Sequence, residues 1–365
     1  MGVTQGEPHP LNQPTKEREI MDYRLTENRM EYFTTLYAYN LRHGIMPGLV
    51  YRYLPQLYSH FGWNGEQKLW FAFLNGMTQN PITSLRMFKQ LPSPEHGPNL
   101  EQFDRWFNDN WENLQFDTDR RYQKKDTVAA IDHYSLTVED QFGGNACAMY
   151  PTTASYKDTW KVANDLYSFG RLSTFSYLEY VKIMGFGTDC DDLMLKDKSG
   201  SKSHRNGTLF LHGQDHIVHD KRIDNGFDGQ YEEFPKMCNW LEAQMHNFLK
   251  GFYNKYPKLL LYGMGNFSLE SNLCTFKNHF FGRRYPGVYA DMAYERILKA
   301  EATGADKSVT DLFRQLYETL PDGLRIDGVD LKNNLTINQK GAYFVDTGQP
   351  YRMEMLMETD SLCKI

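Results

Sequence analysis

No stretch of this 365-residue chain approaches the ~20 consecutive apolar residues that a membrane-spanning helix needs. No C-x-x-C pair occurs among its five cysteines, Cys147, Cys190, Cys238, Cys274 and Cys363. Scattered cysteines, odd in number, argue against a disulfide framework and a structural zinc site, and they suit a reducing cytosol. An excess of positive charge is missing too: the formal charge is −6 and the pI is near 6.0. That excludes coating nucleic acid through bulk charge, but not an enzyme with a local basic groove. The signatures G-x-x-x-x-G-K-[ST], H-E-x-x-H and G-x-S-x-G are all absent, which turns the reading away from Walker-type nucleotide kinases, zinc proteases and α/β-hydrolases. The N-terminal MGVTQGEPHPLNQPTK is polar and Pro-rich and reads as an arm rather than a signal peptide.

What is present is a folded, helical pattern. Hydrophobic residues make up 41% of the chain and aromatics 15%, enough for a sizeable core. The first helix is expected to start near Thr26, with Met30, Phe33, Tyr37 and Leu41 on one face, and to stop at Gly44. Further helices are expected over 47–61 (kinked or broken at Pro55), from Asn64, over 81–91 behind Asn80, and over 100–114. The second half adds 155–169, then 174–184 capped by Ser173, then 232–253, 269–280, 288–302 and 309–320. Leu335 to Ile337 and Ala342 to Val345, around Lys340-Gly341, read as a small hairpin. The fold class is mainly α: a multi-helix globular fold with a small β-hairpin near the C-terminus. The expected organisation is an arm over 1–25, a helical catalytic domain over 26–304, divisible into lobes 26–140 and 141–304, and a C-terminal helix and hairpin over 305–365.

The polar segment 187–230 reads as a long loop, a length that is usually functional or disordered. Its core is D-C-D-D-L-M-L-K-D-K-S-G-S-K-S-H-R-N-G from Asp189 to Gly207. Carboxylates lead into Ser201, Lys202, Ser203, His204 and Arg205, with glycines at 200 and 207. Such a segment offers hydroxyls, backbone N–H groups and cations to a phosphate, beside carboxylates able to take a proton or hold Mg²⁺. As a composition it is equally that of a solvated turn. A second cluster, Asp119 to Asp126, carries Arg120, Arg121, Lys124 and Lys125, and could hold a DNA phosphate or be an exposed linker. A third brings Glu270 and Lys277, two helical turns apart and so on one face, towards Arg283 and Arg284. His216 and His219, with Asp215 and Asp220, make a weak metal pattern.

Taken together, R-L-S-x-F-S-Y-x-E-Y (171–180), D-C-D (189–191), G-S-K-S-H-R-N-G (200–207), L-E-S-x-L-C (269–274) and R-R-Y-P-x-V-Y-x-D-M (283–292) resemble the phage amino acid:DNA transferases, also called α-glutamyl/putrescinyl thymine pyrophosphorylases. The resemblance covers roughly residues 30 to 300. It implies a frame related to helical DNA glycosylases and a role in thymidine hypermodification in the cytoplasm of an infected bacterium. The substrates it implies are double-stranded DNA bearing a pyrophosphorylated 5-hydroxymethyluracil and a free amino acid, whose amine displaces pyrophosphate. No cofactor follows with certainty; Mg²⁺ is the one to consider.

That chemistry asks for three things: fixed charge for the departing pyrophosphate, an acceptor for the ammonium proton, and a base drawn out of the stack. The residues expected to answer are Asp189, Asp191, Glu270 and His204 for catalysis. Lys202, Arg205, Arg283, Arg284, Ser201 and Ser203 are expected for pyrophosphate, and Arg120, Arg121 and Lys124 for DNA. Competing readings are a 5-hydroxymethyluracil DNA kinase, a glycosylase-like base-processing enzyme and a non-catalytic DNA-binding protein. The first would bind ATP, the second would leave abasic sites, and the third would show no turnover.

Overall fold

The computed structural model describes residues 24–94, 97–196, 203–217, 234–263, 265–280, 284, 288–318 and 320, together with the short strands 335–337 and 343–345. Among them are thirteen α-helices: α1 (Thr26–His43), α2 (Val50–Phe61), α3 (Gly65–Thr78), α4 (Pro81–Gln90), α5 (Pro98–Asn110), α6 (Thr127–Phe142), α7 (Tyr156–Asn164), α8 (Arg171–Ile183), α9 (Ser203–Leu211), α10 (Phe234–Lys255), α11 (Asn266–Phe280), α12 (Val288–Ala302) and α13 (Lys307–Tyr317). β1 (Leu335–Ile337) and β2 (Tyr343–Val345) pair antiparallel, with Thr336 opposite Phe344. The chain is mainly α, as its periodicity indicates.

Local chemistry sets most boundaries. Asn64 opens α3 with a capping box: its side chain accepts from Gln67 N, and the Gln67 side chain accepts from Asn64 N. Asn80 accepts from Thr83 N ahead of Pro81, and Ser155 accepts from Asp158 N. Gly44, Gly62 and Gly143 close α1, α2 and α6 in the left-handed conformation.

Three expectations need correcting. The break before α2 falls at Gly48 and Leu49, both at positive φ, while Pro55 sits inside a continuous helix. α7 stops at Asn164, because Asp165 to Gly170 turn through Ser168 at positive φ. Ser173 lies inside α8, whose N-cap is Gly170. The basic 118–126 stretch is a 3-10 turn running directly into α6.

α3 is buried from Leu69 through Thr78, on all sides, and forms the central post of the first half. Around it Trp70, Phe73, Tyr134, Phe169 and Tyr177 make a chain of ring contacts. α8 packs on α3, and α13 packs on α12 and α4. α1 instead crosses to the later helices, where Asn40 donates to Asn272 (2.7 Å), Tyr37 bonds Ser268 (2.8 Å) and Tyr32 bonds His279 (3.0 Å). Arg29 locks the far end of α9, donating to the Phe210 carbonyl (2.6 Å) and to both oxygens of Asp215. Asp215, part of the weak metal pattern, is spent on that pair; His219 and Asp220 lie outside the described residues.

Candidate active site

Among the described helices, α9 and α11 share the most extensive contact. Gly207 makes this possible: a Cβ at that position would overlap the Leu273 carbonyl oxygen. The second glycine of G-S-K-S-H-R-N-G is thus a helix-crossing residue, and much of the expected loop is a buried helix. Two contacts follow from the crossing. Lys277 donates to Ser203 Oγ at 3.2 Å, and His204 Nδ1 lies 2.8 Å from Glu270 Oε1. Glu270 and Lys277 share a face, as their spacing requires, and that face looks at the first turn of α9.

The His204–Glu270 pair is almost sealed, with side-chain exposures of 1% and 9%. The two atoms are close but poorly aligned for a hydrogen bond, so the contact is chiefly electrostatic. His204 Nε2 is buried and has no hydrogen-bond partner among the described residues. A buried ring nitrogen of this kind is costly unless something else satisfies it.

A second carboxyl stands behind the pair. Glu179 of α8 is 5% exposed, is hydrogen-bonded by Tyr51, and has Ser271 Oγ 3.5 Å away. Burial pushes Glu179 up to about 8, and the charges of Glu270 and Asp189 push the same way. The sequence shows Glu179 only as one acidic residue on an aromatic helix, and nothing local marks it. Tyr156 and Arg171 belong to the same neighbourhood. Burial raises the Tyr156 hydroxyl, Cys190, Glu270 and Asp191 raise it further, and Arg171 opposes them.

The basic end of the site adjoins the acidic one. Arg284 donates to the Tyr289 hydroxyl and lies over its ring, 5.2 Å from the centroid, while Tyr289 bonds Thr275 at 3.2 Å. Cys274 sits between the two ends. Burial raises its thiol and Glu270 adds to that, whereas Lys277, Arg284 and the Ser203 hydroxyl lower it. Lys277 and Arg284 therefore gather with Ser203 at the N-terminal turn of α9.

Other expected residues fall elsewhere. Asp189 is a clamp: its carboxylate accepts from Asn266 N (2.8 Å), Phe267 N (3.3 Å) and Cys190 N (3.0 Å), capping α11. Gly265 leaves room for it, since a Cβ there would overlap Asp189 Oδ2. So engaged, Asp189 holds the helix that carries Glu270 and does not stand free as a base. Asp191 is exposed. Arg205 is 2% exposed, and its charge acts on Cys238 of α10, so it is an interior residue rather than a rim cation. Arg120 is fully buried, donating to the Met77 and Ser168 carbonyls and to Ser173 Oγ, with Phe169 beneath it. No DNA phosphate can reach it there. Arg121 and Lys124 stay near the surface and are described below. Ser201, Lys202 and Arg283 lie outside the described residues. Among those described, no group of three or more His, Cys, Asp or Glu is gathered to hold a metal ion.

The family model described as "Amino acid:DNA transferase" matches residues 51–285, the span from α2 through the basic end of the site. The chain belongs to the amino acid:DNA transferase family. It is also 29% identical over 307 residues to a protein of Salmonella phage ViI named serinyltransferase, covering 80% of this chain and 73% of that one. No solved structure matches. An amino acid:DNA transferase joins an amino acid to DNA, so its site must accommodate an amine and a nucleotide together. Among the described residues, no helix is long and apolar enough to cross a membrane.

Proposed function

We propose that the protein displaces pyrophosphate from 5-pyrophosphoryloxymethyluracil in DNA with the amine of an amino acid. The observation that carries this reading is the meeting, across α9 and α11, of a buried His204–Glu270 pair with the cationic turn formed by Ser203, Lys277 and Arg284.

In this reading the bond from the exocyclic methylene carbon to the pyrophosphate oxygen breaks, and the electron pair leaves with pyrophosphate. The pyrimidine ring pushes electrons towards the methylene as it leaves. Lys277, Arg284 and the N–H groups of the first turn of α9 face the charge that builds on the leaving group. The ammonium loses its proton to His204 Nε2, and the neutral amine nitrogen bonds to the methylene carbon. Glu270 stabilises the imidazolium that forms. Glu179, held largely neutral near pH 7, keeps the total negative charge of the pocket low. The target base leaves the stack to enter.

Because the Salmonella phage relative is named for serine, serine is the first donor to try. The test is mass spectrometry of nucleosides after incubating the protein with pyrophosphorylated 5-hydroxymethyluracil DNA and a mixture of amino acids. The mass of deoxyuridine carrying an amino acid joined through its nitrogen to the 5-methylene supports the reading. Release of free base, or phosphate gain on 5-hydroxymethyluracil DNA with ATP, would replace it with the glycosylase or kinase reading.

A further inference from the structure

Where the 118–126 turn meets α12, a pocket of about 380 Å³ opens between segments far apart in sequence. Its cations are Arg121 and Lys124 from the turn and Arg296 and Lys299 from α12; its anions are Glu112 and Asp117. Arg296 and Asp117 neutralise each other at 2.6 Å, and Asp117 is held further by Asn80. Three cations then face one carboxylate. Lys124 bonds the Leu114 carbonyl (3.1 Å) and lies over the Trp111 ring at 4.3 Å. Its desolvation is not compensated: burial pulls it down to about 8, Lys299 lowers it further, and Glu112 only partly offsets them. The buried Nε of Arg121 has no hydrogen-bond partner among the described residues. Beside the pocket, Tyr122 is 62% exposed, with the Arg121 guanidinium 5.4 Å from its ring centroid.

Excess positive charge, an unsatisfied buried guanidinium nitrogen and a partly desolvated ammonium together describe a site suited to an anion. A chain of net charge −6 also needs a local cationic surface to approach a polyanion. We propose that this pocket is a phosphate seat for the DNA backbone, in which Arg121, Lys124 and Lys299 grip a phosphodiester of the strand that carries the target base. The seat lies outside the α9–α11 crossing and takes no part in the chemistry. It holds the duplex in register, and the exposed Tyr122 beside it offers a face on which a base or sugar can rest. The inference rests on DNA being the substrate, but not on the identity of the leaving group.

The test is binding of a short fluorescently labelled duplex to the full chain across a series of salt concentrations, for wild type, Arg121→Ala, Lys299→Ala and the double variant. Lys250→Ala on α10 is the control. All three lysine and arginine sites reach solvent, so the fold is expected to persist; charge-reversed Lys299→Glu provides a second, larger perturbation. The expected result is roughly a tenfold loss of affinity in the double variant, with the slope of log K against log salt reduced by about 1 to 2, and no change in the control. Equal affinity and slope in wild type and double variant would overturn the seat, even if amino acid transfer proceeds normally. Calorimetric binding of inorganic phosphate or pyrophosphate that is lost in the double variant, with duplex affinity unchanged, would also overturn it and assign the pocket to a small free anion. Weakened duplex binding in the variants supports the seat even if transfer is never detected, in which case only the proposed reaction fails.

Discussion

Arg120 of the 118–126 turn donates to Ser173 Oγ of α8, and both residues are buried. This one contact ties a stretch that looks like a surface basic cluster to the helix bearing Glu179. It also separates neighbours: Arg120 is part of the interior and Arg121 lines a surface pocket. Arg120→Ala should strand the Met77 and Ser168 carbonyls and the Ser173 hydroxyl, and cost about 2–4 kcal/mol in urea melts. Arg121→Ala should change stability by no more than about 0.5 kcal/mol. Equal effects would refute this division of labour.

Glu179 makes a pH-dependent prediction with a definite sign. Its carboxyl is raised from 4.5 to about 8 in the fold, so the stability it contributes is full below the unfolded value and is lost as pH rises through about 8. Glu179→Gln carries no ionisation to oppose burial. Thermal melts should therefore show little difference from wild type near pH 4.5, and a variant more stable by about 1–3 kcal/mol near pH 9. A constant offset at every pH would mean that Glu179 is not held neutral by its surroundings.

Gly207 tests the helix crossing. Gly207→Ala should force α9 from α11, cost about 1–3 kcal/mol, and depress transfer through displacement of His204 from Glu270. Wild-type stability and rate in this variant would show that the two helices are not pressed together at this point.

Lys277→Met and Arg284→Ala remove charge where the leaving group is expected. Each should lower kcat by about 10²–10³-fold while leaving duplex affinity near wild type. A loss confined to DNA binding would move these residues from the leaving group to the duplex.

Much of the frame was legible in the sequence, because helix ends are local events. Asn64, Asn80 before Pro81, and the glycines at 44 and 62 announce their helices, and α12 begins and ends where its periodicity does, whereas α6 was not among the expected helices. α9 was hidden: S-H-R-N-G carries no apolar period, and its burial comes from contact with α11 and from the Arg29 anchor. His204 and Glu270 were each legible as candidates, while their pairing required the crossing at Gly207. Asp189 and Arg205 mislead, and Glu179 goes unmarked, for one reason. Each is a charged residue whose burial and partners are decided by segments distant in the chain, and composition cannot report that.

The most direct measurement is single-turnover transfer on pyrophosphorylated 5-hydroxymethyluracil DNA, following pyrophosphate release and the new nucleoside together, in wild type, His204→Asn, Glu270→Gln and the double variant. The expected result is one pyrophosphate per base that gains an N-linked amino acid in wild type. Each single variant should be slower by about 10²–10⁴-fold, and the double variant little slower than either, because the two side chains act as one unit. Wild-type rates in His204→Asn, or pyrophosphate release without a new carbon–nitrogen bond, would contradict the assignment of this pair to the reacting amine.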